Sequence, residues 1–338
     1  MSLPLIRHSE RVDFKRCPKK WFWHWRMGLF PKSINFGALV LGTWTHAALA
    51  GWYGLKNRTG TSLSAWFERY ADADIARSID LPDHVQQQAE EARMLGVAMT
   101  TAYQKLYGSD DDVNVMAVEL PLEFEITDDD GKVIALHKLK PDMVYESSRD
   151  GGVWLMEHKT AKQIRLEHLP IDDQARPYAA MAETAMRRAG MLAKSQQFKG
   201  VMYNFLRKAL PDERETNAKG QALNKNGMVS ARQPTPVFVR HPVVLSRKAK
   251  QIALMRLRIE TNIVTAYAEA VRDKRIDPKY IPKTPHSSCP KLCQYFAMCV
   301  VEEQGGDIKT MQQTMYVREN PYTYDEETTD IPTSFELS

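Results

Sequence analysis

The sequence predicts an α/β chain in which a helical lobe precedes a β-rich core that carries helices on its faces. Three observations predict it. Apolar residues recur at helical spacing through much of the first 110 residues. After the acidic turn Ser109-Asp110-Asp111-Asp112 the pattern changes to alternation, in VMAVELPLEFEI and again in KVIALHKLKPDMVYE. Beyond residue 160, helical and strand patterns alternate to about residue 273.

The 338 residues, 43% hydrophobic and 26% charged, are those of an ordinary globular protein with ample length for a core. A net charge of +4 excludes a globally basic chain, so any nucleic-acid surface must be a local patch. No apolar run approaches a membrane span, and residues 1–16 lack the apolar core of a signal peptide, so no membrane association and a cytoplasmic location are expected. The four cysteines are then unsuited to structural disulfides, which leaves metal binding or plain burial.

Residues 13–27, DFKRCPKKWFWHWRM, read as helical with a break after Cys17, because Pro18 suits a first turn. The interleaved aromatic and basic residues are either core with snorkelling cations or a platform for bases and phosphates. A second helix over residues 36–55 is rich in Ala and Leu and should be buried. Its His46 lies in apolar surroundings, where a lone histidine is ordinarily a hydrogen-bonded core residue. Residues 62–78 and 82–107 give two more helices, the latter starting at Pro82 and Asp83. A meander then delivers a hairpin, with Asp128, Asp129 and Asp130 as a solvated turn that lacks a full calcium loop.

Residues 171–190 form a helix with Gln174 and Tyr178 on one face, and Pro177 occupies its first turn or kinks it. The strand of residues 200–208 leads into a polar stretch, residues 211–236, expected to be a long mobile loop. Its Arg214, Lys219, Lys225 and Arg232 either guide nucleic acid or are simply solvated. PVFVRHPVVL returns as an antiparallel strand, and a long amphipathic helix with Arg247, Lys248 and Lys250 at its start follows. From Glu319 the acidic, aliphatic-poor composition predicts disorder, over residues 319–338.

The chemistry concentrates in residues 139–160. Turn-forming residues 147–152 separate two strand patterns, and a turn centred at Arg149 and Asp150 sets Asp142 opposite Glu157. Their Cβ atoms would lie roughly 5 Å apart, a repulsive pairing unless a cation sits between them. Alternation puts Lys159 on the face of Glu157 and points His158 the other way. A charged hairpin face in solvent is the ordinary alternative.

Pro-Asp142, fourteen residues, then Glu157-x-Lys159 resembles the active-site signature of the PD-(D/E)XK nuclease superfamily. That resemblance implies a restriction-endonuclease-like mixed central β-sheet flanked by helices. It also implies Asp142 and Glu157 as ligands of Mg²⁺ or Mn²⁺, and Lys159 assisting the attacking water. Gly42-x-x-x-His46 and Gln174-x-x-x-Tyr178 resemble motifs of the RecB-like branch. They imply His46 and the His158 backbone carbonyl at the metal, and Gln174 and Tyr178 beside it in contact with DNA.

Cys17 stands before this core, and Cys289, Cys293 and Cys299 stand after it. Four thiolates can hold an iron-sulfur cluster or a tetrahedral zinc. One cysteine before and three after is similar to the cluster-bearing RecB-like nucleases, which implies a 4Fe-4S cluster stapling the ends of the domain. The first gap in C-x3-C-x5-C is one residue longer than that family's, so zinc stays open.

These resemblances imply a DNA exonuclease acting at single-stranded or free ends, in recombination, repair or replication. The cluster-ligand and helical region would span residues 1–110, and the nuclease core with the cysteines residues 111–305. No P-loop of the form GxxxxGK[ST] occurs, so a motor would have to be a separate helicase or recombinase partner. The alternative from another class is a non-catalytic DNA-end-binding scaffold.

Overall fold

In the computed structural model the described residues are 3–32, 38–76 and 82–323. The chain opens with β1 (Leu5–Arg7) and α1 (His8–Arg16). Cys17 then takes an extended conformation, φ −163° and ψ 107°, and α2 (Pro18–Trp21) begins on the proline. A missing N–H is harmless at that position. The expected break is present, although the helix before it starts at His8 rather than Asp13. A π-helical turn, Phe22–Arg26, leads to β2 (Leu29–Pro31). Trp21, Phe22, Trp23 and Trp25 are all buried, so the aromatic stretch is core and not a platform for bases.

Helices α3 (Ala38–Tyr53), α4 (Leu63–Ala76) and α5 (Asp83–Tyr107) form the helical lobe. Residues 36, 37, 77 and 78 of the expected helices lie outside the described residues. Phe67 of α4 rests on Gly96 of α5, where a Cβ would sit 1.9 Å from the ring, so the absent side chain lets the two helices close.

Strands β3 (Val113–Val118), β4 (Leu122–Thr127), β5 (Val133–Leu139), β6 (Met143–Ser147) and β7 (Val153–Ala161) follow. Next come α6 (Ala175–Arg188), β8 (Phe198–Arg207), β9 (Phe238–Val243) and α7 (Arg247–Arg272). The short helices α8 (Cys289–Leu292), α9 (Phe296–Glu303) and α10 (Ile308–Met315) lead to β10 (Tyr316–Arg318). No helix among the described residues is long and apolar enough to cross a membrane.

The central sheet runs β3-β6-β7-β8-β9, with β7 and β8 parallel and the other neighbours antiparallel. This is a mixed sheet flanked by helices, as the sequence predicts. The meander is not continuous, however: β4 pairs with β5, and β5 with β1, in a separate sheet. Side-chain alternation along β7 divides the core. Trp154 and Met156 pack with Trp44 and Trp52 of α3 on one face. Val153 and Leu155 pack with Ala179 and Met186 of α6 on the other.

A third core joins the two ends of the chain, Trp21 and Trp23 meeting Tyr295, Met298 and Tyr316. Buried Lys19 reinforces it, donating to Glu302 Oε1 at 2.6 Å and to the Pro278 carbonyl at 2.8 Å. The disorder expected from Glu319 does not hold for residues 319–323. The Glu319 N–H donates to the Gly28 carbonyl at 2.9 Å, and the Tyr322 hydroxyl donates to Glu10 at 2.9 Å. These partners were invisible to composition, and residues 324–338 lie outside the described residues.

Candidate active site

The β6–β7 register pairs Met143 with Met156 and Tyr145 with Trp154. Continued by one step, it sets Asp142, just ahead of β6, opposite Glu157. Asp142 is fastened further, its Oδ2 accepting the His158 backbone N–H at 2.6 Å. From α3, His46 brings Nδ1 to 3.2 Å from Asp142 Oδ1. Gly42, one turn earlier, lies close against β7: a Cβ there would be 3.0 Å from Thr160 Oγ1, a tight contact.

Sequence reasoning missed Glu119. It follows β3, which pairs with β6, and its N–H donates to the Asp142 carbonyl at 3.0 Å. Its φ of +50° is a left-handed conformation that non-glycine residues adopt at a cost, and such strain clusters at functional sites. Potential ligand atoms of His46, Glu119 and Asp142 all lie within 4.8 Å of one another, the one such trio among the described residues. The only advance signal was an acidic residue in the otherwise apolar run VMAVEL.

Glu157 is outside that trio but couples to it. It is 2% exposed, and its Oε1 is buried without a hydrogen-bond partner among the described residues. Burial, then the Asp142 charge, raises its pKa well above the carboxylate range. Burial and Asp142 likewise raise Glu119 to about 7. Burial opposes ionisation of Asp142 as well, yet His46 beside it holds its pKa low overall, and Asp142 in turn raises that of His46 against the effect of burial. The site thus crowds carboxylates that cannot all ionise without a cation, and oxygen donors with one imidazole fit a hard divalent ion.

Gln174 links the remaining groups. Its Oε1 accepts from Lys159 Nζ at 2.7 Å and its Nε2 donates to Glu157 Oε2 at 2.8 Å, while Lys159 Nζ stands 3.6 Å from the same Glu157 oxygen. Gln174 caps α6, so Pro177 occupies the first turn and causes no kink. Gln174 is thus engaged with Lys159 and Glu157, and Tyr178 is only 5% exposed, both at the start of α6.

Behind the hairpin lies a polar network that the sequence did not announce. The His158 ring is buried, its pKa lowered to about 3 by burial, and its Nδ1 accepts from Asn204 Nδ2 at 2.9 Å. Asn204 also donates to the Tyr103 hydroxyl at 2.9 Å, and Tyr53 and Arg240 both donate to Asp110, at 2.6 and 2.5 Å. Asp110, read from sequence as part of an acidic turn, is buried. The network braces the backbone between Glu157 and Lys159 through the buried His158 ring.

The whole arrangement sits within a stretch, residues 8–300, that matches the family model of the PD-(D/E)XK nuclease superfamily. The chain belongs to that superfamily. No curated protein matches it. Among solved structures it is similar to one described as "Putative exonuclease" from Eubacterium rectale, with a TM-score of 0.43 and 11% identity over 86% of this chain and 93% of that one. That degree of likeness carries no argument about activity.

This PD-(D/E)XK chain also gathers its four cysteines, all unpaired. Cys17 between α1 and α2, Cys289 and Cys293 at the two ends of α8, and Cys299 within α9 line a cavity of about 830 Å³. Burial raises the Cys293 thiol and pushes Cys299 up to about 11. Basic side chains Lys20 and Lys283 border the same cavity.

Proposed function

We propose that the protein is a metal-dependent deoxyribonuclease of the RecB-like branch that hydrolyses phosphodiester bonds at DNA ends. One observation carries the reading: the mutual approach of His46, Glu119 and Asp142 beside the unpartnered Glu157 Oε1. His46, Asp142, Glu157 and the His158 carbonyl would hold Mg²⁺ or Mn²⁺, with Glu119 as a further ligand. When bound, the ion supplies a Lewis acid and a more acidic water. Lys159 is held by Gln174 where its ammonium can orient a nucleophile and offset developing negative charge. Gln174 and Tyr178 act from the first turn of α6 as positioning groups. Service to a separate helicase or recombinase is part of the proposal, since the chain lacks a P-loop of its own.

A 4Fe-4S cluster is the proposed occupant of the cysteine cavity. All four cysteines line one cavity, and four thiolates there can hold a polynuclear group. The test of the activity is a divalent-metal titration on end-labelled single-stranded and duplex DNA. Hydrolysis that needs Mg²⁺ or Mn²⁺ and releases short products from ends supports the reading. Binding without hydrolysis in either metal returns the chain to a scaffold role.

A further inference from the structure

The segment between β8 and β9, expected from sequence to be a mobile loop, is an ordered arch. It contains two consecutive turns of one form, Asn217-Ala218-Lys219-Gly220 and Asn224-Lys225-Asn226-Gly227. In each, the Asn Oδ1 accepts the backbone N–H groups two and four residues on, at 3.0 and 2.9 Å in the first and 3.0 and 3.1 Å in the second. Gly220 and Gly227 supply the left-handed φ, +72° and +73°. The arch is cross-braced as well. Arg214 Nη1 donates to the Arg232 carbonyl at 3.0 Å, and Gln233 Nε2 donates to the Ala222 carbonyl at 3.1 Å. Asparagine side chains replacing backbone partners are why a polar, glycine-bearing sequence holds a shape.

Its position is set by the sheet. Parallel pairing aligns Glu157 with Tyr203, Lys159 with Phe205 and Ala161 with Arg207, and the Lys208 N–H donates to the Ala161 carbonyl at 2.8 Å. The arch therefore leaves at the strand end toward which β7 carries its catalytic pair. It begins about 13 Å beyond the level of Glu157, four strand residues at about 3.3 Å each.

Beyond Asp212, Glu213 and Glu215 at its start, its charge is one-signed. No Asp or Glu occurs in residues 216–236, whereas Lys219, Lys225 and Arg232 are exposed. Among the described residues none of these three cationic groups has a hydrogen-bond or ion-pair partner, in contrast to Arg214, which is paired with Asp212 at 2.7 Å. Met228, 62% exposed, stands beside them, an apolar group of the kind that meets base faces. A stiff arch that satisfies its own backbone and leaves three cations unmatched at the active-site end complements a polyanion that also presents bases.

We infer that this arch is a DNA-holding element, in which Lys219, Lys225 and Arg232 take phosphates of the strand that enters or leaves the active site. The inference rests on the proposed nuclease activity. Its test compares the triple variant K219A/K225A/R232A with wild type on a 30-nucleotide single strand and on bis(p-nitrophenyl) phosphate, a single phosphodiester too short to reach the arch. The expected result is a fall of at least about tenfold in the ratio of kcat/KM values, long over short. The salt dependence on the long strand should also flatten by about 2 in log-log slope, from three contacts at about 0.7 each.

A wild-type ratio and slope in the variant overturn the inference, and so does an equal loss on both substrates, which would make the arch merely structural. Anisotropy with the labelled 30-mer in Ca²⁺ separates the two claims. Wild type that cleaves neither substrate, yet loses DNA binding through the triple variant, would sink the nuclease reading and leave the arch standing.

Discussion

Glu119→Gln in metal-free protein tests the carboxylate crowding on which the proposed metal site depends. Oxygens of Glu119 and Asp142 lie within 4.8 Å, and two unit charges at that separation repel by about 3.5 kcal/mol at an effective dielectric of 20. The linkage has a definite sign. With Glu119 raised by burial and Asp142 from 4.5 to about 7, the folded state holds its proton more tightly than the unfolded chain does. Its contribution is full below about 4.5 and is lost as pH rises through about 7. The interval between those values corresponds to about 3 kcal/mol, with burial the largest cause, Asp142 the next and Lys140 opposing both. The neutral isostere removes the loss. In urea titrations at pH 8 with EDTA, Glu119→Gln should be more stable than wild type by about 2 to 3 kcal/mol. Adding Mn²⁺ should stabilise wild type more than the variant, because binding to the folded state alone adds RT ln(1 + [L]/Kd). Equal stability in EDTA together with an equal Mn²⁺ increment would refute the reasoning.

Four further outcomes follow from other parts of the molecule. Gln174→Ala removes two hydrogen bonds to charged groups, each worth about 1.5 to 3 kcal/mol, and should lower kcat about 100-fold with little change in KM; an unchanged kcat counts against its positioning role. Arg240→Met leaves Asp110 buried without its cation and should cost about 3 to 5 kcal/mol by urea denaturation, so an unmoved midpoint speaks against the network. Burial, then Arg11 and His8, keeps His137 neutral, whereas the unfolded histidine takes up a proton below about 6.5. Stability should therefore fall by about 1.4 kcal/mol per pH unit below 6.5 on its account, and His137→Leu should flatten that slope; identical slopes contradict it. Changing Cys17, Cys289, Cys293 or Cys299 to Ala should bleach a brown protein and lower its melting temperature and activity together. A colourless, iron-free wild type, stable and active after chelation, would defeat the cluster.

Local chemistry made the hairpin legible. The turn residues 147–152 set its centre, and from that centre the pairing of Asp142 with Glu157 follows by counting. Helix boundaries came within a few residues for the same reason, Pro18 and Pro82 marking starts that the backbone uses. What stayed hidden depends on contacts distant in sequence. Glu119 reaches Asp142 only because β3 pairs with β6, and nothing near Glu119 specifies that pairing. Asp110 is buried because Arg240, 130 residues away, comes to it. β4 and β5 read as one meander with the hairpin because alternation reports a strand but not its neighbour. Residues 211–236 looked mobile because their order comes from asparagine side chains, which composition counts as loop formers.

The central claim is that Asp142, Glu157 and Lys159 form one metal-dependent hydrolytic site, and Glu157→Ala tests it most directly. Wild type and variant are compared on end-labelled single-stranded DNA in EDTA, Mg²⁺ and Mn²⁺, with circular dichroism and urea denaturation to establish that both are folded. The account predicts cleavage by wild type in either metal and none in EDTA. For a variant that still binds DNA, it predicts a loss of roughly 10² to 10⁴ in rate. Wild-type cleavage by a folded Glu157→Ala protein would contradict it.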